Sequence, residues 1–123
     1  MKKLIYLSAI PALAFMLNCG GQKVECKTKA RDLKGKSSEI GASIKVSCPS
    51  SCTRNSVWGT EKYTSDSSVC TAAVHSGVIS ADKGGKVTVN IVGSNPSYKG
   101  SEKNGVKSRD WSNSWGKTAF TVK

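Results

Sequence analysis

Apolar and polar residues alternate in several short segments of the chain, at residues 43–47, 86–91 and 118–122, with a shorter apolar segment at 57–60. Successive side chains of a β-strand point to opposite faces, so this alternation predicts strands with one buried face. In the first segment Ile44 and Val46 form that face. Asn104-Gly105 is a strong signal for a tight turn between two extended segments. Much of the chain is therefore expected to form short β-strands.

One segment, residues 69–75, has helical periodicity instead. Val69, Ala73 and Gly77 are spaced by four residues, which places them on one stripe of a helix. The polar residues at 64–68 offer several N-cap side chains, and Gly77 is a natural helix end. One helix among several short strands predicts an α+β fold.

The longest apolar run follows the basic residues at positions 2 and 3 and covers residues 4–17. It is shorter than the roughly 20 residues of a membrane span, and its position and length suit a signal-peptide core. The run closes on Asn18-Cys19-Gly20, which resembles a bacterial lipobox, whose Cys is acylated after the signal is cleaved. We therefore expect a lipoprotein signal peptide at residues 1–18, acylation of Cys19 and a lipidated tether at residues 19–23.

One residue of this motif departs from the usual pattern, because Asn18 stands where most lipoboxes have Gly, Ala or Ser. The alternative is ordinary signal cleavage after Ala14, which would leave an unacylated chain beginning at Phe15. The acylated form is expected to lie in the cell envelope, at the outer membrane or cell surface, attached to the membrane through Cys19.

The cysteine count supports acylation. The five cysteines are Cys19, Cys26, Cys48, Cys52 and Cys70. An odd number in an exported chain leaves one thiol to explain, and acylation of Cys19 leaves four for two disulfides. Four cysteines allow three pairings. Their spacing does not form two Cys-x-x-Cys pairs, so no metal site is expected.

The chain is strongly basic, with a formal net charge of +11. Removing Lys2 and Lys3 leaves 17 basic against 8 acidic residues, or +9. Such a surface attracts phosphates, anionic glycans and anionic membranes. Six cations crowd residues 23–36, just after the predicted anchor, and are either a membrane-facing segment or a solvated surface. Export and the lack of a recognised motif argue against nucleic acid as a partner.

Residues 63–79, YTSDSSVCTAAVHSGVI, resemble the signature of the LCCL domain. Four further segments are similar to the same family, at residues 46–52 (VSCPSSC), 57–60 (VWGT), 104–106 (NGV) and 114–122. The resemblance covers the predicted domain, residues 24–123. It implies a central helix wrapped by short β-strands, with disulfides Cys26–Cys48 and Cys52–Cys70. It also implies an extracellular binding module, associated with lipopolysaccharide.

Four residues near the C-terminus are candidates for contacts with an anionic lipid or glycan. Trp111 and Trp115 lie four residues apart with polar residues between them, where indoles would stack on sugar rings or lipid chains. Lys107 and Arg109 precede them and would bind phosphates. The alternative is that Trp58 and one of this pair belong to the core.

No set of catalytic residues is apparent, so we expect a protein that is not an enzyme and needs no cofactor. His75 is the single histidine, and a structural role beside the helix is expected, because no nucleophile and carboxylate accompany it. The remaining alternatives are an adhesin for host matrix glycans, a structural envelope lipoprotein and an enzyme inhibitor. The pattern gives no oligomeric state.

Overall fold

The computed structural model describes residues 21–123. The predicted signal peptide at residues 1–18 and the predicted acylation site Cys19 lie outside these described residues. Of the predicted tether, only residues 21–23 are included.

A six-stranded mixed sheet forms the centre of the fold, with a two-stranded hairpin beside it. The strands of the large sheet lie in the order β1-β2-β5-β8-β4-β3. β1 runs parallel to β2, and the other neighbours are antiparallel. The strand bounds are β1 Gln22–Lys23, β2 Ser43–Cys48, β3 Gly59–Thr60, β4 Lys62–Thr64, β5 Gly85–Gly93, β6 Glu102–Lys103, β7 Val106–Lys107 and β8 Thr118–Val122.

The three alternating segments form strands, as predicted, and these strands lie side by side in the middle of the sheet. β2 pairs with β5 so that Ile44 lies opposite Val89, and β5 pairs with β8 so that Ile91 lies opposite Phe120. Val46, Val89 and Phe120 are completely buried. Burial of a side chain of this size contributes about 1.5–3 kcal/mol. The alternation along the sequence therefore marks the face that covers the core.

The predicted helix is confirmed as α1, Val69–Ser76. Its N-cap is Ser68, whose hydroxyl oxygen accepts a hydrogen bond from the Thr71 amide at 3.2 Å. Gly77 ends the helix in the left-handed conformation, with a φ of 86°. The helix packs against β5 and β8 on one side and the β6–β7 hairpin on another. Residues 69–75 are all buried. One α-helix beside a mixed sheet is the α+β fold that the sequence predicts.

The Asn104-Gly105 turn joins β6 to β7, also as predicted. Asn104 has a φ of 52° and Gly105 a φ of 79°. Two successive positive values are what a type I′ hairpin turn requires, and Asn-Gly is the pair that adopts it most readily. The hairpin places the Asn104 side-chain amide 2.9 Å from the carbonyl of His75, which ties it to the end of α1.

The four cysteines form two disulfides, but the expected pairing is wrong: the bridges are Cys26–Cys52 and Cys48–Cys70. Cys48 ends β2 on the same face as Ile44 and Val46, so it points into the core, where Cys70 is completely buried. The two Cα atoms are 5.6 Å apart, which suits a bridge. Residues 49–51 then reverse the chain and carry Cys52 to Cys26, with Cα atoms 5.0 Å apart.

Candidate ligand-binding site

Three tryptophans line one apolar pocket at the edge of the domain. The pocket has a volume of about 250 Å³ and is lined by Trp58, Thr64, Asp66, Trp111 and Trp115. The indoles of Trp111 and Trp115 meet edge to face, with ring centroids 5.5 Å apart and an interplanar angle of 88°. We call this pocket the tryptophan slot. Edge-to-face packing stabilises the pair while leaving part of each ring open to a ligand.

None of the three tryptophans belongs to the core, so the alternative placement of Trp58 and one other in the core is wrong. Trp58 and Trp115 are half-buried, and Trp111 keeps 37% of its surface exposed. The aromatic residues at the centre of the fold are Tyr63 and Phe120 instead, both completely buried. A group of partly exposed indoles is unusual unless it contacts something else, since large exposed aromatic surface has a cost in water.

Backbone pairing holds the slot together. The Arg109 amide donates to the carbonyl of Val57 at 2.9 Å, and the Gly59 amide donates to the carbonyl of Arg109 at 3.0 Å. These bonds fix Trp58 next to the C-terminal segment. Tyr98 and Trp111 exchange two further backbone hydrogen bonds, at 2.7 and 2.8 Å. The slot is therefore built on a hydrogen-bonded frame.

A small basic cleft adjoins the slot and shares Trp58 and Asp66 with it. This lysine cleft has a volume of about 190 Å³; its lining residues are Lys27, Lys29, Asn55, Ser56, Trp58, Asp66 and Ser68. The Val69 amide donates to the Thr28 carbonyl at 3.0 Å, which holds the lysine-bearing segment against the start of α1. Apolar and cationic surfaces thus meet at Trp58.

Sequence reasoning missed Lys27 and Lys29 as partners of the tryptophans. In the sequence they are only two members of the basic run at residues 23–36. Nothing in the local sequence links Lys29 to the tryptophans, since the cleft that it lines beside Trp58 depends on the bridge between Lys29 and Ser68 in the folded chain.

The four predicted ligand residues divide between two clefts. Lys107 and Arg109 line a separate groove of about 640 Å³ with Gly100, Ser101, Glu102, Ser108 and Asp110. This groove carries two carboxylates beside its two cations, and one of them, Asp110, accepts a hydrogen bond from the Gly100 amide at 2.7 Å. Trp111 and Trp115 line the tryptophan slot, which shares Trp58 and Asp66 with the cleft of Lys27 and Lys29.

His75 is completely buried, and both of its ring nitrogens have partners. Nε2 lies 3.0 Å from the Ser101 carbonyl oxygen, which can only accept, so this nitrogen carries the proton. Nδ1 then accepts from the Tyr63 hydroxyl at 2.9 Å. Burial raises the pKa of Tyr63 above its ordinary value of 10.0. These contacts join the sheet, α1 and the hairpin segment.

Within residues 21–123, no three side chains of His, Cys, Asp or Glu come together in a way that would hold a metal ion. Among the helices of the same residues, none is long and apolar enough to cross a membrane.

Comparison with known proteins gives one family. A model of the LCCL domain matches residues 24–118. Clotting factor C of Tachypleus tridentatus is 37% identical over 91 residues, 72% of this chain and 8% of that protein. Human vitrin is 42% identical over 88 residues, 70% of this chain and 12% of vitrin. Human cysteine-rich secretory protein LCCL domain-containing 2 is 35% identical over 104 residues, 80% of this chain and 21% of that protein.

The chain thus spans only a small part of each of these relatives. The family-model match extends over most of the chain and includes the helix and all four bridged cysteines. The protein therefore belongs to the LCCL domain family.

Proposed function

We propose that this protein is a lipid-anchored binding module of the cell envelope, attached through acyl chains on Cys19, whose ligand is an anionic amphiphile of the lipopolysaccharide type. One observation carries the ligand class: the tryptophan slot and the lysine cleft share Trp58 and Asp66. A ligand with an apolar part and a phosphate matches this pair of surfaces.

The slot suits part of a ligand better than a whole one. Its volume of about 250 Å³ lies below the roughly 300–1,000 Å³ of pockets that enclose a drug-sized molecule. One sugar ring or one segment of an acyl chain fits this space. Burying indole surface contributes about 25 cal/mol for each Å² removed from water, so an apolar group in the slot would add to affinity.

The two lysines of the neighbouring lysine cleft favour an anionic headgroup there. Lys27 is exposed and lies 3.8 Å from Glu25, and Lys29 is half-buried. Exposed pairs of this kind are weak, so Lys27 is free to turn towards a phosphate. Asp66 stands between the two surfaces, and its carboxylate accepts a hydrogen bond from Thr64 at 2.6 Å. The phosphate is therefore expected on the lysine side of Asp66.

The proposed anchor is tested by the intact mass of the protein extracted from membranes. A chain that begins at Cys19 and carries acyl chains supports the proposal. A chain that begins at Phe15 without lipid contradicts the membrane anchor but leaves the binding site untouched.

The proposed ligand is tested by surface plasmon resonance on immobilised lipid A, with heparin in a parallel channel. We expect Trp111→Ala to weaken lipid A binding at least tenfold, about 1.4 kcal/mol. Joint replacement of Lys27 and Lys29 by Ala should weaken binding and reduce its salt dependence. The matched control is Lys83→Ala, because Lys83 is exposed and lines neither surface.

The other outcomes identify the alternatives. Binding to heparin without binding to lipid A would favour an adhesin for matrix glycans. Unchanged binding in the Trp111 variant would show that the slot is not the site. The absence of salt-sensitive binding to either probe at micromolar concentrations would favour a structural envelope lipoprotein.

A further inference from the structure

A second surface, which includes the β1 edge of the sheet and the turns before β2, carries one exposed apolar side chain and several cations. We call it the anchor-proximal face; its residues are Gly21, Gln22, Lys34, Lys36, Ile40 and Lys45. Ile40 leaves 64% of its surface exposed, more than any other large apolar side chain in the described part of the chain. The same stretch of chain also lines a shallow cleft of about 460 Å³, whose residues are Gly21, Gln22, Lys34, Gly35, Lys36, Ala42, Ser43, Ile44 and Lys45.

The exposed isoleucine sits on a well-supported turn. The Glu39 amide donates to the Lys36 carbonyl, and the Ala42 amide donates to the Glu39 carbonyl, both at 3.1 Å. The next bond towards the core runs from the Gly41 amide to the Ile91 carbonyl at 2.8 Å. Two successive turns attached to β5 therefore hold Ile40 outward, where a mobile loop would let it fold back.

The cations are also held in place. The side-chain amide of Gln22 donates to the Lys34 carbonyl at 3.0 Å and accepts from the Lys34 amide at 3.1 Å. Lys36 lies 3.9 Å from Glu39, but both side chains are largely exposed, so this pair is weak and leaves the lysine available. Lys45 is exposed on β2. Lys34, Lys36 and Lys45 thus lie on the same stretch of chain as Ile40, whose side chain lies next to Gly93 at the end of β5.

The position of this face in the chain points to its partner. Cys19 precedes Gly21 by two residues, and two residues span about 7 Å when fully extended. Acyl chains on Cys19 would therefore bring the lipid headgroups next to Gly21. Exposed isoleucine enters the boundary between headgroups and acyl chains, and lysines on the same face contact anionic headgroups.

We propose that the anchor-proximal face docks on an anionic bilayer, with Ile40 inserted and Lys34, Lys36 and Lys45 at the headgroups. This inference rests on the proposed acylation of Cys19. It fixes the orientation of the domain as well as its attachment. β1 is one edge of the six-stranded sheet and β3, which follows Trp58, is the other. Strands lie about 4.8 Å apart, so β1 and the β3 edge beside Trp58 are separated by some 20–25 Å across the sheet.

Lysine footprinting on the membrane-extracted protein tests this orientation. The protein is reconstituted in vesicles of phosphatidylcholine with phosphatidylglycerol, or of phosphatidylcholine alone, and treated with a membrane-impermeant amine reagent. Modification of each lysine is read by mass spectrometry. On anionic vesicles we expect Lys34, Lys36 and Lys45 to be protected at least about fivefold, the factor that one basic residue contributes at such a surface. The exposed Lys83 and Lys99 are internal controls and should stay reactive; Lys83 precedes the start of β5, at the end away from Gly93 and Ile40.

A pair of variants separates insertion from charge. Ile40→Glu should abolish the protection, whereas Ile40→Leu should keep it, because only this apolar side chain differs between them. Since Ile40 is largely exposed, neither change disturbs the core.

Vesicle association after a high-salt wash is measured in the same samples and reports the acyl anchor separately. Association with protection supports both proposals. Association with equal reactivity of all five lysines overturns the docking face and leaves the anchor standing. Protection at low salt that disappears with the protein after the wash supports the docking face and overturns the anchor. Neither association nor protection overturns both.

Discussion

The pairing of Cys48 with Cys70 leads to a quantitative prediction. This bridge connects the end of β2 to the first turn of α1 across 22 residues, and both cysteines lie in the core. We consider the double variant in which Cys48 and Cys70 are both replaced by Ala. The bridge Cys26–Cys52 is then left intact, so one closed loop is removed and no thiol is left without its partner.

The size of the effect follows from the length of the loop. A cross-link that closes 22 residues restricts the unfolded chain by about 3.4 kcal/mol at 25 °C in the chain-entropy description. The corresponding pair, Cys26 with Cys52, closes 26 residues and contributes about 3.5 kcal/mol. Each double variant should therefore lose a similar free energy of unfolding. A chain without either bridge should lose about 7 kcal/mol, comparable to the whole stability of a small domain.

Two measurements check this. Urea unfolding gives the loss in free energy, and a maleimide mass shift under denaturing conditions counts free thiols relative to the unmodified protein. The two matched variants, in which both cysteines of one bridge are replaced by Ala, should gain no thiol. The mixed variant with Cys26→Ala and Cys48→Ala should gain two, because Cys52 and Cys70 lose their partners.

The opposite pattern would refute the reasoning. If the mixed variant gained no thiol and lost only about 3 kcal/mol while the matched variants gained two, the bridges would be Cys26–Cys48 and Cys52–Cys70. A matched variant that lost less than 1 kcal/mol would show that the closed loop does not stabilise the fold.

Two further predictions concern the core and the helix end. Burial raises the pKa of Tyr63, so the folded protein keeps a proton that the unfolded chain releases above about pH 10; stability should be constant below that pH and fall above it. In urea unfolding from pH 8 to 11, Tyr63→Phe should show a smaller fall, and an unchanged slope would exclude this origin. Gly77→Ala forces a side chain into a φ of 86° and places its Cβ 3.3 Å from Asn104. It should lower the free energy of unfolding by about 1 kcal/mol or more, whereas Gly105→Ala, with open space around it, isolates the cost of the positive φ alone.

Much of the fold was predictable because periodic burial dominates its longest elements. The segments that form β2, β5 and β8 alternate clearly, and Ser68 and Gly77 mark the ends of α1. β1, β3 and β4 have two or three residues each, which is too few for a periodicity to appear. The predicted strand at residues 57–60 is reduced to Gly59–Thr60, since Trp58 joins only an isolated bridge to Arg109.

The ligand site was only partly predictable, because its residues come from distant parts of the chain. The spacing of Trp111 and Trp115 identifies them, but Lys27 and Lys29 lie in the adjoining cleft only because residues 28–29 pair with the start of α1. The predicted disulfide pairing was wrong for a related reason. Cys48 and Cys52 are four positions apart, and which of them faces the core depends on where β2 ends.

The crossed arrangement of the bridges has a consequence for proteolysis. The loops closed by Cys26–Cys52 and Cys48–Cys70 overlap between residues 48 and 52, so together they enclose every peptide bond from residue 26 to residue 70. A protease that cuts this segment once opens a loop but releases no fragment. With successive pairing, one cut between residues 48 and 52 would separate the chain into two pieces. The chain would thus survive a single nick anywhere between residues 26 and 70 as one covalent molecule.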